Sequence, residues 1–342
     1  MTSVIEDFEE FRSQYWAGME TLFNELLLEN SLEDSSLKFM LEYHLRTGGK
    51  RLRAILPLLV AKALGVNPKR LLAFGAACEL IHNATLVHDD LQDGDALRRG
   101  EATIWAKFGE PEAINLGDAM LYLAPLCLEK SDFDEKVKWL AARRMFRDIL
   151  QVIDGQEREF ALKGITVSRQ AYERMVIGKT SGLFALPIAG AAELCGASRE
   201  VVEALEMGAR ELGVLFQMQD DILDLYGEKG RESRGGDIRE GKISMLVVAF
   251  KEVAPEEDFQ MLLQMLEAPR EETSEVDVEW AIEALRTSGA LGLALEEISS
   301  REAKILAIEA LKDYPEIGTL LQGLVQIFLR PIAGLREVSQ QV

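Results

Sequence analysis

Apolar side chains recur at three- and four-residue steps along most of this chain. Val4, Phe8, Phe11, Tyr15, Met19, Leu22 and Leu26 follow that rhythm over the first thirty residues, lining one face of an α-helix. Ser3 and Glu6 have the spacing of a capping box at its start. Further periodic stretches follow, separated by short breakers. Thr47-Gly48-Gly49 ends one, Asn67-Pro68 opens another, and Gly164, Gly178 and Gly196 mark further ends. Strand-like alternation of β-branched residues is nearly absent. Residues 242–250 (KISMLVVAF) could pass for a strand, but they run into a helical continuation and read as helix. The pattern predicts an all-α fold.

Composition narrows the class. With 342 residues the chain can bury a large core, and length alone suggests two domains. Its 48% hydrophobic content excludes a disordered chain. The formal net charge of -20 excludes a general nucleic-acid surface, so any anionic ligand must meet a local basic pocket or bridging cations. Cys78, Cys127 and Cys195 lie far apart in apolar surroundings and read as small buried residues of a reducing compartment. The acidic N-terminus lacks the pattern of a signal peptide, and no uninterrupted apolar run reaches membrane-spanning length; Leu183 to Cys195 comes nearest. A cytoplasmic protein without an integral membrane segment is expected.

Two acidic clusters carry the chemistry. LVHDDLQDGD holds Asp89, Asp90 and Asp93, and FQMQDDILDLYG holds Asp220, Asp221 and Asp224. Positions four apart share a helix face, so Asp89 projects with Asp93 and Asp220 with Asp224. Like charges placed so repel, yet the arrangement occurs twice, each time directly after an apolar stretch. One such motif fits a solvated acidic face; two favour a site. Carboxylates without histidine or thiolate partners select hard cations, magnesium first, which phosphate oxygens complete. A calcium-binding loop is excluded because its alternating ligands and terminal glutamate are missing.

Basic residues stand where an anion could use them. GGKRLR places Lys50, Arg51 and Arg53 at an expected helix start, where backbone donors and the helix dipole favour anions. Arg98 and Arg99 follow the first acidic cluster, Lys179-Thr180 follow a glycine, and Lys242 ends the charged loop Gly227 to Gly241. Singly, each is an ordinary surface charge.

Together, GGKRLR, IHNATLVHDDLQDGDALRRG, GKT, FQMQDDILD and GGDIREGK, in this order from Gly48 to Leu246, resemble the polyprenyl synthase family. The resemblance implies one domain over residues 1–342, a helical bundle around a central cavity with the two clusters facing across it, and a homodimer. It implies that isopentenyl diphosphate and an allylic diphosphate are condensed to a longer prenyl diphosphate with release of pyrophosphate. Asp89, Asp90, Asp93, Asp220, Asp221 and Asp224 would hold magnesium against the allylic diphosphate, with Arg98, Lys179 and Lys242 contacting it. Lys50, Arg53, His82 and Arg99 would hold isopentenyl diphosphate, and Thr180 and Gln217 would face the developing allylic cation. His88 would orient aspartates or simply pack, and the charged loop would close as a lid.

Three positions depart from the family pattern. Glu232, with Arg231 and Arg234 beside it, stands where a lysine is usual; Ser244 replaces threonine; Glu159 replaces aspartate. Ala84 and Thr85, one turn before Asp89, are small, so the path of the growing chain is open there. That favours geranylgeranyl diphosphate or longer, unless Met120, Leu121 or Tyr122 closes it deeper down. A terpene cyclase and a non-catalytic partner subunit remain as alternatives, although neither accounts for both full clusters and the second set of cations.

Overall fold

The computed structural model describes residues 2–162, 167–227 and 234–339. Its helices run in the order α1 (Thr2–Glu29), α2 (Ser36–Arg46), α3 (Leu52–Ala63), α4 (Leu72–Gln92), α5 (Ile104–Phe108), α6 (Glu110–Cys127), α7 (Glu135–Leu162), α8 (Arg169–Val176) and α9 (Gly182–Leu194). They continue with α10 (Arg199–Tyr226), α11 (Gly236–Arg239), α12 (Met245–Val253), α13 (Glu256–Glu267), α14 (Glu275–Thr287), α15 (Ala290–Leu306), α16 (Pro315–Leu329) and α17 (Ala333–Ser339). Among the described residues the sole sheet is a hairpin of β1 (Leu97–Arg98) and β2 (Glu101–Ala102), turned by Arg99 at φ 56° and Gly100 at φ 80°. Two successive positive φ values suit the right-handed twist of a tight hairpin. The all-α expectation holds.

The chain divides into two compact units. The first comprises Met1–Ile149, Leu183–Met207 and Ala310–Leu320; the second comprises Leu150–Gly182, Gly208–Glu309 and Leu321–Val342. In the first, α4 packs between α3 and α6 and buries Phe74, Leu80, Ile81 and Val87. Each large side chain so buried contributes about 1.5–3 kcal/mol. Gly75 lets α3 approach, since a Cβ there would lie 2.3 Å from the Ala54 carbonyl oxygen.

In the second unit α12 packs on α15 and α8, burying Leu246, Val248 and Phe250. Residues 245–253 are helical, and the Ser244 side chain caps them by accepting from the Val247 N–H. Buried Arg301 pairs with Glu173, Glu211 and Glu297 and so ties α8, α10 and α15 together.

Three expectations need correction or fall outside view. Gly178 does not end a helix: it lies in a π-helical turn, Ile177–Ser181, that joins α8 directly to α9. Its role is close approach, because a Cβ would lie 2.8 Å from the Gly155 Cα. Three helical segments, Pro68–Gln92, Arg169–Leu194 and Pro315–Glu337, are long and apolar enough to cross a membrane. The search for uninterrupted runs overlooked them because scattered charges break each one. Within the protein 72%, 78% and 50% of their apolar windows are buried, so much of that surface serves packing. The Ser3 side chain, Gly164, Arg231, Glu232 and the centre of the charged loop lie outside the described residues.

Candidate active site

In the first unit the GGKRLR turn is built around a buried carboxylate. Gly48 and Gly49 adopt φ 94° and 125°, and Arg51 enters α3 in the left-handed region at φ 58°. That conformation disfavours a side chain. Buried contacts hold it: Arg51 pairs with Glu79 at 3.2 Å, donates to the Leu45 carbonyl and lies 4.2 Å over the Trp16 ring. Glu79 also accepts from the Ala54 N–H and the Asn83 amide, and Asn83 meets His44 at 3.1 Å. Arg51 is therefore a structural cation. Sequence reasoning missed Glu79, although an acidic residue inside the apolar run Ala76–Ile81 was its signal.

This frame presents the other cations. Arg53 is buried, 4.3 Å over the Phe184 ring, while Lys50 stays exposed. Arg99 reaches back to the Gly48 carbonyl, with its guanidinium nitrogen 2.8 Å from where a Gly49 Cβ would stand. The His82 imidazole is held well below its ordinary pKa by burial and then by Arg53, Arg98 and Arg99. The positive charge of these guanidinium groups thus bears on the imidazole within a chain of net charge -20. The His82 Nδ1 is buried without a hydrogen-bond partner among the described residues.

The first acidic cluster closes α4. Asp89 lies in the last turn, and Asp93 caps it with its N–H bonded to the Asp89 carbonyl at 2.8 Å. Both are half-buried. Asp90 is 2% exposed and accepts from Arg98 Nε at 2.7 Å. Burial raises its pKa, while Arg98 pulls in the opposite direction. His88 packs on α6, its ring filling the space above Gly117, where a Cβ would come within 2.1 Å of Nε2. Its Nε2 also lies 3.3 Å from the Ile114 carbonyl oxygen and 3.7 Å from Asp118 Oδ1.

The second cluster occupies the C-terminal turns of α10 in the second unit. Asp220 is half-buried; Asp221 and Asp224 are 3% exposed. Both oxygens of Asp221 are engaged: Oδ1 accepts from Gln217, and Oδ2 accepts from the Tyr172 hydroxyl and the Met245 N–H. Burial pushes its pKa up to about 6 despite those donors. Asp224 accepts from the Asp237 N–H at 3.1 Å. The Asp237 carboxyl is raised well above the usual range by desolvation, then by Asp224, with Asp221 and Asp220 adding to it. Four carboxylates therefore gather here, and sequence reasoning counted only three. GGDIREGK carried the signal for Asp237, but the loop was read there for its lysine.

Lys179 and Thr180 sit in the π-helical turn, a device that recurs at functional sites. Two glycine contacts set that turn against its neighbours. A Cβ on Gly155 of α7 would lie 2.0 Å from the Lys179 nitrogen, and one on Gly213 of α10 would lie 2.5 Å from the Ser181 Cα. Thr180 Oγ1 consequently reaches Gln217 Oε1 at 2.8 Å. Gln156, next to Gly155, is 8% exposed and neither atom of its amide has a hydrogen-bond partner among the described residues.

The cations expected to meet the allylic diphosphate are each tied to a carboxylate: Arg98 to Asp90, Lys179 to Glu159 and Lys242 to Glu240. Glu159, standing where aspartate is usual, reaches Lys179.

Among the described residues no three histidine, cysteine or acidic side chains form a ready-made metal cage. Magnesium does not ask for one: it takes one or two carboxylates and completes itself with water and phosphate oxygens. The all-oxygen donor set and the neighbouring cations fit a magnesium–diphosphate pair.

Comparison with known proteins gives a concordant picture. The chain matches the Polyprenyl synthetase family over residues 34–285. It is 36% identical to a geranylgeranyl diphosphate synthase of Methanosarcina mazei over 289 residues, 82% of this chain and 85% of that protein. A crystal structure of a geranylgeranyl pyrophosphate synthase superposes with TM-score 0.85 at 27% identity, covering 94% of this chain and 98% of that one. The polyprenyl synthase of Caulobacter crescentus, solved with calcium and isoprenyl diphosphate, superposes with TM-score 0.83 at 25% identity over 96% and 97% of the two chains.

Proposed function

Because the chain belongs to the polyprenyl synthetase family, we propose that it condenses isopentenyl diphosphate with an allylic diphosphate, head to tail and in trans geometry, to geranylgeranyl diphosphate or a product of similar length. The observation that carries this reading is the second set of cations and polar groups: buried Arg53, Arg99 held at the Gly48 carbonyl, and His82 with its Nδ1 unpartnered among the described residues. A cyclase, which takes one diphosphate, has no use for such a second site beside the acidic clusters.

In this reading Lys50, Arg53, His82 and Arg99 bind isopentenyl diphosphate. Asp89, Asp93, Asp220 and Asp224 would hold magnesium. Asp237 joins them in place of Asp90, whose carboxylate already meets Arg98, and of Asp221, whose oxygens already meet Gln217, Tyr172 and the Met245 N–H. When bound, magnesium supplies positive charge that makes the allylic diphosphate a better leaving group. Arg98, Lys179 and Lys242 exchange their carboxylate partners for diphosphate oxygens as the allylic carbon–oxygen bond breaks. Thr180 and Gln217 oppose the developing positive charge with oxygen lone pairs. The isopentenyl double bond attacks, a proton leaves to the released diphosphate, and no protein base is required. The chain is expected to act as a homodimer.

The test is to incubate the protein with magnesium, labelled isopentenyl diphosphate and dimethylallyl, geranyl or farnesyl diphosphate, then size the products. Defined longer products, lost with chelator and reduced at least about 100-fold by Asp89→Ala, are expected. No condensation with any starter would sink the proposal, and a hydrocarbon product would favour a cyclase. The same assay addresses chain length. Ala84 is fully buried, so a phenylalanine there would overpack the core, whereas Thr85 is half-buried on the Asp89 face. Thr85→Phe is expected to shorten the product; an unchanged distribution would refute an open path at that level.

A further inference from the structure

A four-membered polar chain in the second unit contains one residue to which nothing above gives a function. Tyr172 on α8 is 0% exposed. Its hydroxyl donates to Asp221 Oδ2 at 2.7 Å, where the Met245 N–H also donates at 2.7 Å. Gln217 Nε2 donates to Asp221 Oδ1 at 2.9 Å, and Thr180 Oγ1 donates to Gln217 Oε1 at 2.8 Å.

The direction of every bond follows from the inventory of donors. An ionised carboxylate only accepts, so Gln217 must turn its amide nitrogen toward Asp221. Its oxygen then faces Thr180. The single hydroxyl proton of Thr180 goes to that oxygen, leaving the Thr180 lone pairs uncommitted within the chain. The second lone pair of Gln217 Oε1 is likewise uncommitted. Reversing the amide would present N–H groups in place of oxygen, the wrong dipole toward a carbocation. The orientation thus depends on Asp221 staying put, and Asp221 depends on its donors.

We propose that Tyr172 is a positioning residue that acts through Asp221 to fix the Gln217 amide, so that the site shows oxygen and not N–H to the allylic cation. The inference rests on the proposed prenyltransferase reading. Tyr172 belongs to the unit that holds Thr180 and Gln217, whereas Arg53, His82 and Arg99 belong to the other. Its removal should therefore act on the chemical step and leave isopentenyl diphosphate affinity alone.

The test is a double-mutant cycle on kcat with Tyr172→Phe, Gln217→Ala and the pair, with folding followed by thermal denaturation. Tyr172→Phe is expected to lower kcat roughly 10-fold while KM for isopentenyl diphosphate stays within about twofold. In the Gln217→Ala background the same substitution should cost nothing further, because its target is gone. A purely structural role would instead lower stability and subtract equally in both backgrounds. Should the phenylalanine variant not fold, Asp221→Asn probes the same link, with the same non-additivity expected. Full kcat in Tyr172→Phe, or an equal loss with and without Gln217, overturns the proposal. Wild-type protein that condenses no starter would overturn the functional reading and this inference with it, whereas an active wild type with an additive cycle overturns the inference alone.

Discussion

His44 shows how a buried residue couples the site's frame to pH. Burial, then Arg98, lowers its pKa from 6.5 to about 4, and its Nε2 meets Asn83 Oδ1 at 3.1 Å. Asn83 Oδ1 accepts, so the neutral ring donates. The folded protein keeps His44 neutral where the unfolded chain would protonate it. The stability tied to that neutral ring is therefore complete above the unfolded pKa and is lost as pH falls toward the folded one, to the extent of about 3 kcal/mol. Asp90 and Asp221, with raised pKa values, act in the opposite sense, so the informative comparison is between variants. Urea unfolding at about pH 7 and about pH 5 should show a shallower acid loss in His44→Gln, which can still donate to Asn83. Equal losses in the two proteins would refute the assignment. At this scale the two acidic clusters were legible in the sequence, because their spacing repeats. Glu79, Tyr172 and Asn83 were not, since a buried partner is recognised only by what it touches in three dimensions.

At the scale of elements the periodicity located the helices, because a 3.6-residue rhythm of apolar positions survives in one dimension. It misjudged the joint between α8 and α9, where Gly178 looked like a terminator. A glycine ends a helix when φ turns positive, but it also serves where two backbones must touch, and the linear pattern does not separate the uses. Gly155 makes the distinction testable. A Cβ there would lie 2.0 Å from the Lys179 nitrogen and 2.5 Å from the Gly178 carbonyl carbon, both backbone atoms that cannot rotate away. Gly155→Ala should thus push the π-helical turn off α7, destabilising the fold by about 3 kcal/mol. Gly318 in α16 has nothing within 4 Å of its Cβ position. Gly318→Ala should instead stabilise by roughly 0.5–1 kcal/mol. Chemical denaturation of both variants decides the point: similar effects would mean that the Gly155 contact does not set the packing.

At the scale of the molecule, organisation was the least legible feature. Both units are discontinuous in sequence, and their division falls inside α7, α10 and α16, so no proline- or glycine-rich linker marks it. Assembly is more accessible to test, because α7 carries a solvent-exposed apolar stripe. Trp139, Phe146, Leu150 and Ile153 recur at helical steps and are 61%, 43%, 66% and 51% exposed, and Tyr122 of α6 is 76% exposed. Self-association must overcome repulsion between chains of net charge -20, which falls with ionic strength. Arg143 and Arg147 on the same helix reduce that repulsion locally. An apolar contact between like-charged copies should tighten in salt, whereas one made by ion pairs would loosen. Sedimentation is therefore expected to show a dimer that dissociates less at higher salt and becomes monomeric in Trp139→Asp/Phe146→Asp. A monomeric wild type at micromolar concentration, or a double variant that still dimerises, would exclude this stripe as the dimer contact.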